Sequence, residues 1–192
     1  MVWKKIHVLG AGSYGKVYFA VKIDSSSLCC PYVVQFFGVD INIDNGNIPT
    51  YNLFLEYACS GSLHDLIINS KRGMIKMSEL EVGFYAYQLL KGIQHVNKKW
   101  WVHCDIKPNN ILVFDNAANN ERGGIHELKL ADFGLSLRVS DGMAYVTETP
   151  FSNRGTLLYA PPESLIDGFH AKSYDIWSLG CTVAEMMTGN RV

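Results

Sequence analysis

Val102-His103-Cys104-Asp105-Ile106-Lys107-Pro108-Asn109-Asn110-Ile111-Leu112, followed by Leu130-Ala131-Asp132-Phe133-Gly134, decides how this chain is read. The apolar runs at 111–114 and 128–131 flank an Asn- and Gly-rich stretch, 116–124, and predict a hairpin with a long loop. Asp105, Lys107, Asn110 and Asp132 stand at its ends. Taken singly, each reads as a polar cap on a turn around two strands. That reading does not easily account for all four.

Upstream, Ser78-Glu79-Leu80-Glu81 is a capping box, and Val82, Ala86, Leu89, Ile93 and Val96 then recur at helical spacing. Downstream, Ser173 is expected to cap a helix with the apolar stripe Ile176, Leu179, Val183 and Met186 or Met187. The first 57 residues differ: runs at 6–9 and 16–23 around a Gly-rich turn, then 33–39 and 51–57 separated by the polar segment 40–50, read as strands. The chain is therefore expected to be α+β, a sheet lobe over 1–57 and a helical lobe over 58–192. No repeat of fixed period interrupts it.

Composition bounds the partners. With 192 residues, 48% of them hydrophobic, the chain can bury one sizeable core or two small lobes. Its 17 basic and 18 acidic residues leave a net charge of −1, which gives no electrostatic argument for nucleic acid or an anionic membrane surface. The five cysteines are odd in number and lack C-x-x-C spacing, which fits free thiols in a reducing compartment, cytoplasmic or nuclear. No secretory leader and no apolar run of membrane-spanning length is read in it.

Gly10-Ala11-Gly12-Ser13-Tyr14-Gly15-Lys16-Val17 fits G-x-G-x-x-G-x-V, where missing side chains let backbone N–H groups approach phosphate oxygens. Alone it is also an ordinary hairpin turn. A dinucleotide-binding turn requires a helix directly after the glycines, and the strand-like run at 16–23 speaks against one.

In their order, H-x-D-x-K-x-x-N and then D-F-G resemble the protein kinases. The resemblance implies a bilobal kinase-like fold, ATP and Mg2+ as cofactors, and a protein substrate. Phosphoryl transfer asks mainly for positioning and charge neutralisation. Asp105 would orient the substrate hydroxyl and accept its proton, and Lys107 would stabilise charge on the transferred group. Asn110 and Asp132 supply the hard oxygen ligands that magnesium prefers.

The same resemblance assigns quieter positions. Leu9, Gly10, Gly12 and Gly15 would cover the nucleotide, Val17, Ala20 and Leu112 would sandwich the base, and Lys22 in Ala20-Val21-Lys22 would grip phosphates. Leu55-Glu56-Tyr57-Ala58 looks like the hinge, with the backbone of Glu56 and Ala58 facing adenine. Residues 155–163 resemble the end of an activation segment, with Pro161 where alanine is usual, and Asp175 matches an aspartate that holds the catalytic loop. Lys107 with Thr156 looks like the serine/threonine branch. Cys30-Pro31-Tyr32-Val33-Val34, the catalytic stretch and residues 177–183 together look like plant kinases of the MAP kinase kinase kinase group. A MAP kinase kinase is the substrate this implies.

Departures from the pattern are expected to matter. Cys104 stands where arginine commonly precedes the catalytic aspartate, removing a cation that would pair with a phosphorylated loop. Val17 and Lys22 are five residues apart where the family places a whole hairpin, and on one regular strand an odd separation sends them to opposite faces unless a bulge intervenes. Residues 23–30 hold no glutamate, so the lysine's usual partner on helix C is missing. The small lobe is thus expected to be reduced and the large lobe cut short after the helix of Asp175. That would leave Glu163 as an unpaired buried carboxylate and the last helix with exposed apolar surface. A catalytically weak kinase-like binding or scaffolding protein is the alternative.

Overall fold

Ser78 opens the longest helix. Its Oγ accepts the Glu81 N–H at 3.2 Å while its own N–H donates to Glu81 Oε2 at 2.7 Å, so two of the four donors freed at the helix start are satisfied. The computed structural model describes residues 3–12, 15–22, 30–43, 49–72, 76–115, 125–139, 143–145 and 154–191. Contacts divide the chain into two units, Met1–Cys29 with Gln35–Tyr57, and Cys30–Val34 with Ala58–Val192.

The smaller unit holds two antiparallel pairs, β1 (Trp3–Gly12) with β2 (Gly15–Lys22) and β3 (Phe36–Ile43) with β4 (Pro49–Leu55). The polar segment 40–50 does not end the strands where its composition suggests. Pairing carries β3 to Ile43 and begins β4 at Pro49, because ladder hydrogen bonds are indifferent to whether side chains are apolar. Val33 and Val34 do not start β3 as expected. Val33 bridges Leu130, and the Val34 N–H donates to the Leu130 carbonyl at 2.9 Å, which ties Cys30–Val34 to the larger unit.

In that unit α1 (Leu63–Arg72) and α2 (Glu79–Lys98) are followed by β5 (Trp101–Val102), the hairpin β6 (Ile111–Phe114) and β7 (Glu127–Leu130), and β8 (Leu137–Arg138). Then come β9 (Met143–Tyr145), α3 (Pro162–Asp167), β10 (Phe169–Ala171) and α4 (Ser173–Thr188). β5 pairs with β8 and β9 with β10, all antiparallel. One core joins α1, α2, the β6–β7 hairpin and α4 through Leu63, Leu89, Ile93, Ile111, Leu128 and Leu179. Gly92 lets α2 lie directly on the neighbouring backbone, since a Cβ there would stand 2.8 Å from the Tyr32 carbonyl. Buried Gln88 donates to the His126 carbonyl and accepts the Leu128 N–H, so its amide is satisfied at both ends.

The last helix differs from the sequence reading in its start and in its buried face. Ser173 is the first residue of α4, with Lys172 at the cap position and no side-chain cap bond. The apolar stripe is also narrower than expected: Leu179 and Met186 are buried, but Ile176 is 49% exposed. Trp177 and Met187 are exposed as well, so α4 does present apolar surface.

Candidate active site

The loop between β5 and β6 carries the site, and α4 holds it. Asp175, in the first turn of α4, accepts the N–H groups of His103 at 2.9 Å and Cys104 at 3.0 Å. Burial pushes the Asp175 carboxyl up to about 6, against the pull of those two donors. Cys104 adopts φ of 65°, the left-handed region that a non-glycine residue enters only when its surroundings hold it there.

His103 joins this loop to the end of β7. Its Nδ1 takes the Asp105 N–H at 3.3 Å, so the ring proton belongs on Nε2, which lies 3.0 Å from the Ala131 carbonyl. Burial lowers its pKa and keeps the ring neutral, which that pairing requires. The ring also meets Phe133 at 4.6 Å between centroids.

Three polar side chains converge on Asp105. Lys107 Nζ lies 2.9 Å from Asp105 Oδ2, and Asn110 Nδ2 donates to the same oxygen at 2.7 Å and to the Asp105 carbonyl at 2.9 Å. The Thr156 hydroxyl donates to Asp105 Oδ1 at 2.8 Å and accepts from Lys107 Nζ, also at 2.8 Å. Asp105 is 6% exposed, so this carboxylate is oriented by charge-assisted bonds in a place largely closed to water. Such an arrangement can receive a hydroxyl proton and stabilise charge beside it.

Asn110 and Asp132 stand close in the backbone, because the Ala131 N–H donates to the Asn110 carbonyl at 2.9 Å. Asp132 sits at φ of 61° and accepts the Gly134 N–H at 3.3 Å, which turns its exposed carboxylate out of the β7 ladder. The Asn110 amide nitrogen is committed to Asp105, leaving its oxygen for another partner. An amide oxygen and a carboxylate fit a hard divalent cation, and these two residues would hold Mg2+.

The nucleotide positions are split between the units. Gly10 pairs with Val17 and Gly12 with Gly15 across the tight end of β1–β2, while Ser13 and Tyr14 lie outside the described residues. The register slips fall on β1, beside Ile6 and Leu9, and β2 runs without an inserted residue. Positions 17 and 22 therefore occupy opposite faces of the ribbon, as do 17 and 20. Ala20 and Lys22 share one. Most of residues 23–30, the stretch without a glutamate for helix C, lies outside the described residues. The Glu56 N–H is taken by the Gln35 carbonyl at 2.8 Å, and its carboxylate accepts the Gln35 N–H at 3.2 Å. Ala58 is half-buried, and half-buried Leu112 on β6 bridges Ser62.

Glu163 is half-buried, not sealed from solvent, so it carries less of the desolvation cost expected of it. Cys104 is buried and its thiol is pushed up to about 12, chiefly by burial, so it stays neutral and supplies no charge in arginine's place. Tyr159 and Tyr174 escape sequence reasoning. Their hydroxyls reach Glu185 and the Arg154 carbonyl, partners 26 and 20 residues away.

The protein kinase domain family matches residues 25–192, which leaves the Gly-rich stretch outside the match. Mitogen-activated protein kinase kinase kinase 20 of Arabidopsis thaliana is 37% identical over 160 residues, covering 83% of this chain and 43% of that protein. Mitogen-activated protein kinase kinase kinase 17 of the same plant is 32% identical over 214 residues, covering 99% and 53%. Human mitogen-activated protein kinase kinase kinase 5 is 40% identical over 159 residues, covering 82% and 10%. The chain spans about half the length of these plant relatives and a tenth of the human one. One aligned span of 214 exceeds the 192 residues here, so that relative carries residues within it that this chain lacks. With the family matched across most of its length and its signature residues gathered around one carboxylate, the chain belongs to the protein kinase family, similar to the MAP kinase kinase kinases.

Proposed function

We propose that this chain transfers the γ-phosphoryl group of ATP to serine or threonine hydroxyls of a protein substrate, a MAP kinase kinase within a MAP kinase cascade. The observation that carries this reading is the hydroxyl of Thr156 held between Asp105 and Lys107 at 2.8 Å each. Asp105 is thereby aimed as a proton acceptor, and Lys107 is poised beside the same point for the charge of the transferred group. ATP supplies the phosphoryl group and Mg2+ offsets phosphate charge when bound. Asn110 and Asp132 would hold the cation, and Gly10, Gly12, Gly15 and Ala20 would line the nucleotide. A cytoplasmic place, extending to the nucleus, suits the free cysteines among the described residues.

β2 favours a second reading, a weak catalyst that acts by binding. Its unbroken register keeps Val17 and Lys22 from sharing a face, as a phosphate-gripping lysine beside an adenine-covering valine requires. The test is magnesium-dependent transfer from ATP to a generic serine/threonine substrate, with Asp105→Asn measured alongside. Transfer abolished by the substitution supports the enzyme. Folded protein without transfer supports the binder.

A further inference from the structure

α2 turns one side outward along its whole length. Leu80, Gly83, Phe84, Tyr87, Lys91 and Gln94 recur at spacings of three and four and so share a face. Leu80 is 79% exposed, Tyr87 52% and Phe84 45%. The face is not uniform. Its N-terminal half presents the apolar side chains Leu80, Phe84 and Tyr87, while its C-terminal half forms one wall of a groove of about 530 Å³. Leu90, Ile93, Gln94 and Asn97 line that wall, and Lys172 with Ile176, at the start of α4, line the other.

Charge is divided the same way. Glu79 and Glu81 stand in the first turn of α2, and Lys91, His95 and Lys98 lie toward its end. These charges suit the helix's own dipole, but neither Glu79 nor Lys98 has an ion-pair partner among the described residues. Lys91 lies over the ring of Tyr87, 5.3 Å from its centre, on the same face. At Gly83 a Cβ would have nothing within 4 Å, so no neighbour in this chain accounts for a residue that helix interiors disfavour. Apolar side chains and acid at one end, a groove and base at the other, make a single helix complementary to its own reversed copy.

We propose that α2 is the interface of a symmetric homodimer, in which the helix lies antiparallel to that of a second copy and the apolar half of each is seated on the groove of the other. Glu79 opposite Lys98 of the second copy sets the register. Leu80 then falls opposite Asn97, Gly83 opposite Gln94, Phe84 opposite Ile93 and Tyr87 opposite Leu90, and the two-fold axis makes every contact twice. Gly83 lets the two helices approach closely. A parallel pairing would instead set Glu79 on Glu79 and Lys98 on Lys98, repelling at both ends. An anionic surface, whether nucleic acid or membrane, is disfavoured by the acidic end of the same face. This interface stands apart from the phosphotransfer reading of Asp105.

Sedimentation velocity of the full chain over a micromolar concentration series tests this, with circular dichroism to show that each variant keeps its helices. The unsubstituted chain is expected to pass from monomer to dimer as concentration rises. Glu79→Lys and Lys98→Glu each set like charges against one another at both ends of the interface, and each should raise the dissociation constant by roughly tenfold or more. Mixing the two variants restores opposite charges at both ends, so the mixture should associate nearly as well as the parent, and so should a chain carrying both substitutions. Phe84→Ala, which removes the largest apolar side chain seated on the groove, should weaken the dimer by roughly tenfold to a hundredfold. A parent that stays monomeric throughout overturns the proposal and leaves the face to another occupant, a further segment of a longer chain or a different protein. A dimer indifferent to the charge reversals, or charge variants that stay apart when mixed, overturns it equally.

Discussion

Asp175 and Cys104 are 71 residues apart in sequence and joined by a 3.0 Å bond from the Cys104 N–H to Asp175 Oδ1. The other carboxylate oxygen takes the His103 N–H, so one side chain satisfies two successive backbone donors of a loop held in left-handed backbone at residue 104. Asp175→Asn turns one acceptor into a donor facing another donor. The expected cost is about 1–3 kcal/mol for a buried group left unsatisfied. Thermal unfolding should show a midpoint lower by several degrees, and an unchanged midpoint would mean that the loop holds its shape without this carboxylate.

Asp175 also makes a signed contribution to pH dependence. Its folded pKa is raised from 3.8 to about 6, so its contribution to stability is fully present below pH 3.8 and is lost as pH rises through about 6. His103 and His170 run the other way. Burial lowers both below 6.5, so what they contribute is present above that value and is lost as pH falls. Between pH 7 and 4 the aspartate therefore opposes the histidines. Asp175→Asn removes the opposing member, and denaturant midpoints of the variant should fall more steeply with acid than those of the parent. Parallel curves would show that Asp175 does not titrate in this range.

How much of this was legible in the sequence depends on how local each bond is. The capping box at Ser78 and Glu81 spans three residues, and the structure forms it as read. The same local logic finds α1, which the sequence reading passed over. Ser62 and Asp65 cap it reciprocally, but Gly61 and the short polar run before it resemble a plain loop. The residues around Asp105 were nameable because their spacing is itself the signal. The bonds from Tyr159 to Glu185 and from Tyr174 to Arg154 carry no such signal, because nothing in a single chain pairs positions 20 or more residues apart. The reach of β3 and β4 into the polar segment was hidden for a related reason, since backbone pairing leaves no trace in side-chain polarity.

Gly155 is the next test. Its φ is +85°, and a Cβ there would stand 2.2 Å from the Cys104 carbonyl and 2.5 Å from the Tyr174 hydroxyl. Both distances are shorter than real contacts, and one neighbour is backbone that Asp175 already holds. Gly155→Ala is expected to cost roughly 1–3 kcal/mol from backbone strain alone, with the clash added to it. Equilibrium unfolding measures this, and a loss under about 0.5 kcal/mol, the range of an ordinary surface change, would show that residues 154–156 can move away from the catalytic loop.

Thr156 allows stability and chemistry to be told apart. Thr156→Ala removes the hydroxyl between Asp105 and Lys107 but leaves Asn110 and Lys107 on the carboxylate, so the fold should survive with little change in unfolding midpoint. Thr156→Ser keeps the hydroxyl. In the phosphotransfer assay the alanine variant is expected to lose roughly tenfold to a hundredfold in kcat, the scale on which a lost orienting contact acts, while the serine variant stays within a few-fold of the parent. Equal activity for alanine and parent would mean that Asp105 is aimed by Lys107 and Asn110 alone. Equal loss in serine and alanine would point to the methyl group's packing, not to the hydroxyl bridge.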